Sequence, residues 1–118
     1  MPASIPGPVD SSDDIRLALR SWPEVERYLE SCKGIIIPLG STEQHGPTGA
    51  IGTDALTAEA VSLAVGRRSG VLVTPAQCFG MAEHHLDFAG TMSLQPATLL
   101  AVLHDLVLSL ARNGFERV

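Results

Sequence analysis

The sequence predicts an α/β fold of three layers, αβα, with a mostly parallel sheet that is truncated after the third helix. Two short apolar runs ending at proline, Gly34-Ile-Ile-Ile-Pro38 and Val71-Leu-Val-Thr-Pro75, suit strands covered on both faces rather than one. Helical patterns alternate with them, and the order helix, strand, helix, strand, helix calls for right-handed crossovers.

Taken in order, residues 1–14 are rich in Pro, Ser and Asp and read as a flexible leader. From Ser21, the run Ser-Trp-Pro-Glu-Val-Glu offers a capping hydroxyl, an early proline and acids where the helix dipole favours them. A helix of about ten residues follows. After the first strand, residues 39–53 form a polar loop. Leu56, Ala60, Leu63 and Ala64 then lie on one stripe of a helix over 54–68. The second strand feeds a second polar loop, 76–95. Pro96 occupies the first position of the third helix, and Leu99, Leu103, Leu106 and Leu110 share one face of it. Gly114 stops this helix, with Phe115 placed to pack back against its last turn.

Glu116-Arg117-Val118 heads toward another strand, so residues 15–118 read as the N-terminal part of a single domain, a fragment of a longer chain. On this reading the sheet edge beside residues 71–74 is open and the apolar helix faces are uncovered. Self-association is the expected consequence.

At 118 residues the chain fits one domain with one core. Its 45% hydrophobic and 18% charged residues mark it as globular. Thirteen acidic residues against eight basic ones give a formal charge of −5 without a Lys/Arg cluster, which argues against a nucleic-acid partner. Cys32 and Cys78 form no C-x-x-C pair and read as two buried thiols in a reducing, cytoplasmic setting. The opening residues lack a signal-peptide pattern, and the apolar stretch 99–111 is shorter than the ~20 residues a bilayer requires. No membrane partner is expected.

Both polar loops leave the carboxyl ends of the strands, where open α/β sheets collect ligands. Glu43 and His45 are two residues apart, so an extended backbone points both to one side, and Asp54 at the next helix start can reach back over the loop. Two carboxylates and an imidazole suit Zn²⁺, Mn²⁺ or Fe²⁺. Plainer readings stand beside this one. Asp54 or Thr53 could cap the helix, contributing about 1 kcal/mol. His45 could be a hydrogen-bonded surface histidine, and Glu43 a solvated charge. Gly40-Ser41-Thr42 could present amides to a phosphate, although no Gly-Lys-Ser/Thr follows.

The run Pro38-Leu-Gly-Ser-Thr-Glu-Gln-His-Gly-Pro47, followed by Gly52-Thr-Asp54, resembles the first signature of the creatininase family. Gly80-Met-Ala-Glu-His-His85 and Phe88-Ala-Gly-Thr-Met-Ser-Leu94 are similar to its second loop. The resemblance spans residues 35–118. It implies that Glu43, His45 and Asp54 are ligands of a two-metal centre, with Asp54 bridging the ions. Glu83 and His85 are second-loop candidates for orienting substrate or ligands, although a histidine holding the loop through a backbone hydrogen bond fits as well.

Two departures stand out. Thr48-Gly49-Ala50 replaces a stretch in which many relatives carry a second histidine, and Ala89 stands where proline is common. The family's acid–base carboxylate is expected beyond Val118. The resemblance implies a metal-dependent amidohydrolase acting on a small molecule through a non-peptide C–N bond, in creatinine-like cyclic amides or formamides. It further implies that this chain supplies part of the site and that the full-length form is a homo-oligomer, the relatives commonly being hexamers. The competing expectation is a non-catalytic remnant or interaction domain. A flavodoxin-like nucleotide-binding domain ranks last.

Overall fold

A computed structural model describes residues 14–118, so the leader expected over 1–14 lies outside the described residues apart from Asp14. Asp14 is tied down, with its carboxylate accepting from the Arg16 Nε–H at 2.9 Å. The helices are α1 (Trp22–Leu29), α2 (Thr53–Ser69) and α3 (Pro96–Arg112), and the strands are β1 (Ile35–Ile36) and β2 (Leu72–Val73). Short 3-10 turns occupy Leu17–Leu19 and Glu83–His85. Each of the five predicted elements is present.

β1 and β2 run parallel, with Ile35 beside Leu72 and Ile36 beside Val73. Further chain flanks this pair on both sides. Val73 donates its N–H to Ile15 O at 2.8 Å, and Ile35 donates to Arg117 O at 2.9 Å. Arg16 and Arg117 form parallel bridges to Val73 and Gly34. The open edge expected beside residues 71–74 is therefore corrected, because the segment at Ile15–Arg16 covers it. Ile15 is 1% exposed, and burying that one apolar side chain draws the segment onto the sheet. At the other side, residues 116–118 already take the strand direction that their position after α3 suggested.

Successive strand residues face opposite layers, as the pleat requires. Leu72 and Ile35 pack with Tyr28 and Leu29 of α1 and with Phe115 just beyond α3. Val73 faces the other way, onto α2. There Gly66 permits close approach: a Cβ at this position would lie 2.7 Å from Val71 O and 2.7 Å from a methyl of Val73. Helices thus lie on both faces of a small parallel sheet, as expected of the α/β class.

Tyr28 joins the layers. Its hydroxyl donates to Gly34 O at 2.8 Å and accepts from the Leu72 N–H at 3.1 Å, serving backbone groups beside both strands. Burial, reinforced by the nearby Cys32 thiol, raises its pKa well above the ordinary tyrosine value.

Some local expectations differ from the structure. Ser21 holds the N-cap position of α1, but its hydroxyl makes no capping bond. Cys32 and Cys78 are half-buried and unpaired rather than buried. α3 begins at Pro96 and gives way at Gly114, where Phe115 donates to Leu110 O at 3.1 Å and is 5% exposed. None of the residues within α3 is buried. Leu99, Leu103 and Leu110 of its predicted face are half-buried, and Leu110 packs against the core, whereas Leu106 stays exposed.

Candidate metal centre

Past Pro38 and Pro75 the ladder gives way to the two polar loops, which stay laced together. Gly40 N–H donates to Gln77 O at 2.9 Å, and the Thr42 hydroxyl donates to Cys78 O at 2.8 Å. Met92 N–H donates to Thr42 O at 2.9 Å, and Gln44 N–H donates to the Thr91 hydroxyl at 3.1 Å. The Gly40 amide and the Thr42 hydroxyl are committed to these contacts, which takes two donors from the phosphate-cradle reading.

Within the first loop, residues 43–51 double back. Glu43 N–H donates to Ile51 O at 3.1 Å, and His45 bridges Gly49 in antiparallel fashion. Glu43 and His45, two positions apart on this turn, each contact Asp54. α2 arrives immediately above. Gly40 makes this possible, since a Cβ there would sit 2.4 Å from Ala55 Cα, inside the backbone of the helix start.

Asp54 is not a helix cap. Gly52 holds the N-cap position of α2 and no side chain caps it, while the Thr53 hydroxyl donates to Ala50 O instead. Asp54 sits in the first helical turn with its carboxylate 3.3 Å from His45 Nε2. The other nitrogen of His45, Nδ1, lies 3.1 Å from Glu43 O. A carbonyl only accepts, so Nδ1 carries the proton, and the Nε2 lone pair of the neutral ring faces Asp54. Two electron-rich groups facing one another need either a proton or a cation between them. This is also how metal-binding histidines are held, with the far N–H given to a backbone carbonyl. The Glu43 carbonyl, followed by the Asp54 and Glu43 charges, raises the His45 pKa against the effect of burial.

Glu43 is under similar pressure. Hydrogen bonding to the Asp54 carboxyl, then burial, then the Asp54 charge push its carboxyl above the usual range, with His85 and His84 pulling the other way. Glu43 Oε2 is buried and has no hydrogen-bond partner among the described residues. Ligand atoms of Glu43, His84 and His85 all lie within 4.8 Å of one another. An orphaned carboxylate oxygen, a second carboxylate and converging imidazoles form a donor set that fits a divalent cation.

Of the residues singled out from sequence, Asp54 meets His45 and Glu43 in pairwise contacts, while the group whose ligand atoms all lie within 4.8 Å of one another joins Glu43 to His85, and to His84, of the second loop. Glu83 starts the same 3-10 turn but stands exposed, outside the Glu43, His84 and His85 group. His84 was missed. Its available signal was adjacency to His85, which within a tight turn puts their ring centroids 3.9 Å apart. Beside Gln44 an open recess of about 380 Å³ is lined by Pro47, Ile51, Phe88 and Ala89.

The profile of the creatininase family, described as creatinine amidohydrolase, matches residues 18–118. The chain belongs to the creatininase family. It is 33% identical over 104 residues to a creatinine amidohydrolase of Pseudomonas putida, covering 83% of this chain and 40% of that protein. It is 41% identical over 78 residues to a mycofactocin precursor peptide peptidase of Mycobacterium ulcerans, covering 58% and 31%. The chain therefore spans well under half the length of these two relatives. Among solved structures, a manganese form of creatininase superposes with a TM-score of 0.83 at 32% identity, over 88% of this chain and 43% of that one. A mutant creatininase of Zn–Zn type gives 0.78 at 31%, over 86% and 42%.

Proposed function

We propose that this chain carries part of the active site of a metal-dependent amidohydrolase that opens a C–N bond in a small molecule. The carrying observation is the meeting of the His45 Nε2 lone pair with the Asp54 carboxylate, beside the orphaned oxygen of Glu43. Glu43, His45 and Asp54 would hold a two-metal centre, with His84 available as a further donor from the second loop. Zinc, manganese or iron suits this mixed oxygen and nitrogen set, and creatininase structures in manganese and Zn–Zn forms support the first two. The chemistry that such ions would supply there is polarisation of a carbonyl and a lowered pKa for bound water.

The chain's own residues define the rest of the role. Asp54 is positioned by the first turn of α2, and Glu43 by the turn that Ile51 closes. The recess beside Gln44 gives a substrate substituent an apolar wall, with Phe88 and Ile51 excluding water. The substrate class we favour is a creatinine-like cyclic amide or formamide, on the strength of the Pseudomonas putida relative. The higher identity to a peptide peptidase supports a second reading, hydrolysis of a peptide C–N bond at the same centre. We place the protein in the cytoplasm, which its unpaired cysteines support.

Titration calorimetry of the 118-residue chain with Zn²⁺ and with Mn²⁺ tests the centre. Binding of two ions is expected, with Asp54→Asn weakening it by about 10–100-fold, as loss of a supporting or ligating group does. Binding that is absent, or untouched by Asp54→Asn, would leave the competing reading of a non-catalytic remnant. Comparing cyclic amide and peptide substrates on the longer parent protein separates the two chemistries.

A further inference from the structure

Gln44 lies between Glu43 and His45 and has no part in the metal reading above, yet its side chain makes two bonds of definite direction. Gln44 Oε1 lies 2.8 Å from the Gly46 N, and Gln44 Nε2 lies 2.8 Å from His85 Nδ1. The Gly46 backbone N–H is a donor that cannot reverse, so the side-chain atom facing it is the oxygen. That fixes the amide, whose nitrogen has only protons to offer. His85 Nδ1 must accept. A neutral imidazole carries one proton, which therefore sits on Nε2. The Gln44 backbone N–H is itself held by the Thr91 hydroxyl at 3.1 Å, so the same residue grips the second loop both within the turn carrying His85 and beyond it.

We propose that Gln44 is a positioning residue that locks His85 as its Nε2–H tautomer, making His85 a hydrogen-bond donor to the site and not a metal ligand. One His85 nitrogen approaches Glu43 and His84 within the 4.8 Å group, but neither has a free lone pair. Nδ1 spends its lone pair on Gln44, and Nε2 is protonated. His45 is set the opposite way by the Glu43 carbonyl, which leaves its Nε2 free to ligate. One loop thus assigns opposite roles to two histidines through a backbone carbonyl and a side-chain amide. The Nε2–H of His85 suits an acceptor, the carbonyl oxygen of an amide substrate being the one that the proposed function supplies. That last step rests on the proposed function, whereas the tautomer does not.

Long-range proton–nitrogen correlation spectra of the 118-residue chain labelled with ¹⁵N-histidine report the tautomer directly. The expected wild-type spectrum has a bare Nδ1 and a protonated Nε2 for His85. Gln44→Glu, close to isosteric and still able to accept from Gly46, should put a proton on Nδ1. A wild-type Nδ1–H, or a Gln44→Glu spectrum that keeps Nδ1 bare, overturns the inference. Addition of Zn²⁺ should shift His45 while the Nε2–H signature of His85 persists, and conversion of His85 to a ligand would also overturn it. If Zn²⁺ moved no histidine, the metal reading would fall while a protonated Nε2 on His85 still upheld the tautomer assignment.

Discussion

Tyr28 shows how much one hydroxyl can hold. It serves the Gly34 carbonyl and the Leu72 amide, backbone groups beside each strand, from a side chain 1% exposed. Tyr28→Phe would keep the ring's packing against Phe115 but strand both backbone groups, so a loss of about 1–3 kcal/mol is expected in urea unfolding at neutral pH. The pH dependence has a definite sign. Burial raises the folded-state pKa above the unfolded value of about 10, so on passing pH 10 the unfolded chain releases this proton while the native one retains it. The contribution is fully present below pH 10 and declines above it. Wild-type stability should fall over that window more steeply than that of Tyr28→Phe, and parallel pH profiles for the two would contradict this account.

Among the elements, α2 matters most because it both covers the sheet and delivers Asp54. Two glycines set its position, Gly40 beneath its start and Gly66 against β2. Gly66→Ala improves helix propensity by about 1 kcal/mol, but the new methyl would press on Val71 O, a backbone atom with little room to yield. Overpacking of this kind costs about 1–3 kcal/mol, so net destabilisation is expected in thermal unfolding. An unchanged or raised Tm would show that α2 moves off β2 more easily than this packing implies. Gly40→Ala should act differently. Its methyl meets the backbone of Ala55, next to Asp54, so Zn²⁺ affinity by calorimetry should drop even where the fold survives.

Across the whole molecule, the sheet is protected at β2 by Ile15 and Arg16, whereas α3 leaves several of its apolar side chains in solvent. Leu100 is 69% exposed and Leu108 54%, with Leu106 and Val107 near 40%. Single exposed leucines are ordinary, but this many on one helix form a patch that favours association. Of the two causes of self-association offered by the sequence, the open strand edge is removed and exposed apolar residues of α3 remain. Sedimentation velocity should show species heavier than monomer as concentration rises, and Leu100→Lys with Leu108→Lys should return the chain toward monomer. A lone monomer boundary at high concentration in the wild type would refute the prediction. No helix among the described residues is long and apolar enough to cross a membrane.

By itself the sequence determined what is local. Proline-terminated apolar runs marked β1 and β2, a leucine stripe between Pro96 and Gly114 marked α3, and the Glu43-x-His45 spacing singled out the loop that meets Asp54. These signals succeed because strand pleat, helix period and proline geometry act over a few neighbouring residues. Tertiary structure alone decided that Asp54 faces His45 instead of capping α2, that His84 and not Glu83 joins Glu43, and that Ile15 closes the sheet edge. It also decided the proton position on His85, through a contact from Gln44 spanning 41 positions of sequence. Such contacts depend on two loops emerging side by side from parallel strands, and no periodicity within either loop encodes which of its side chains will meet the other.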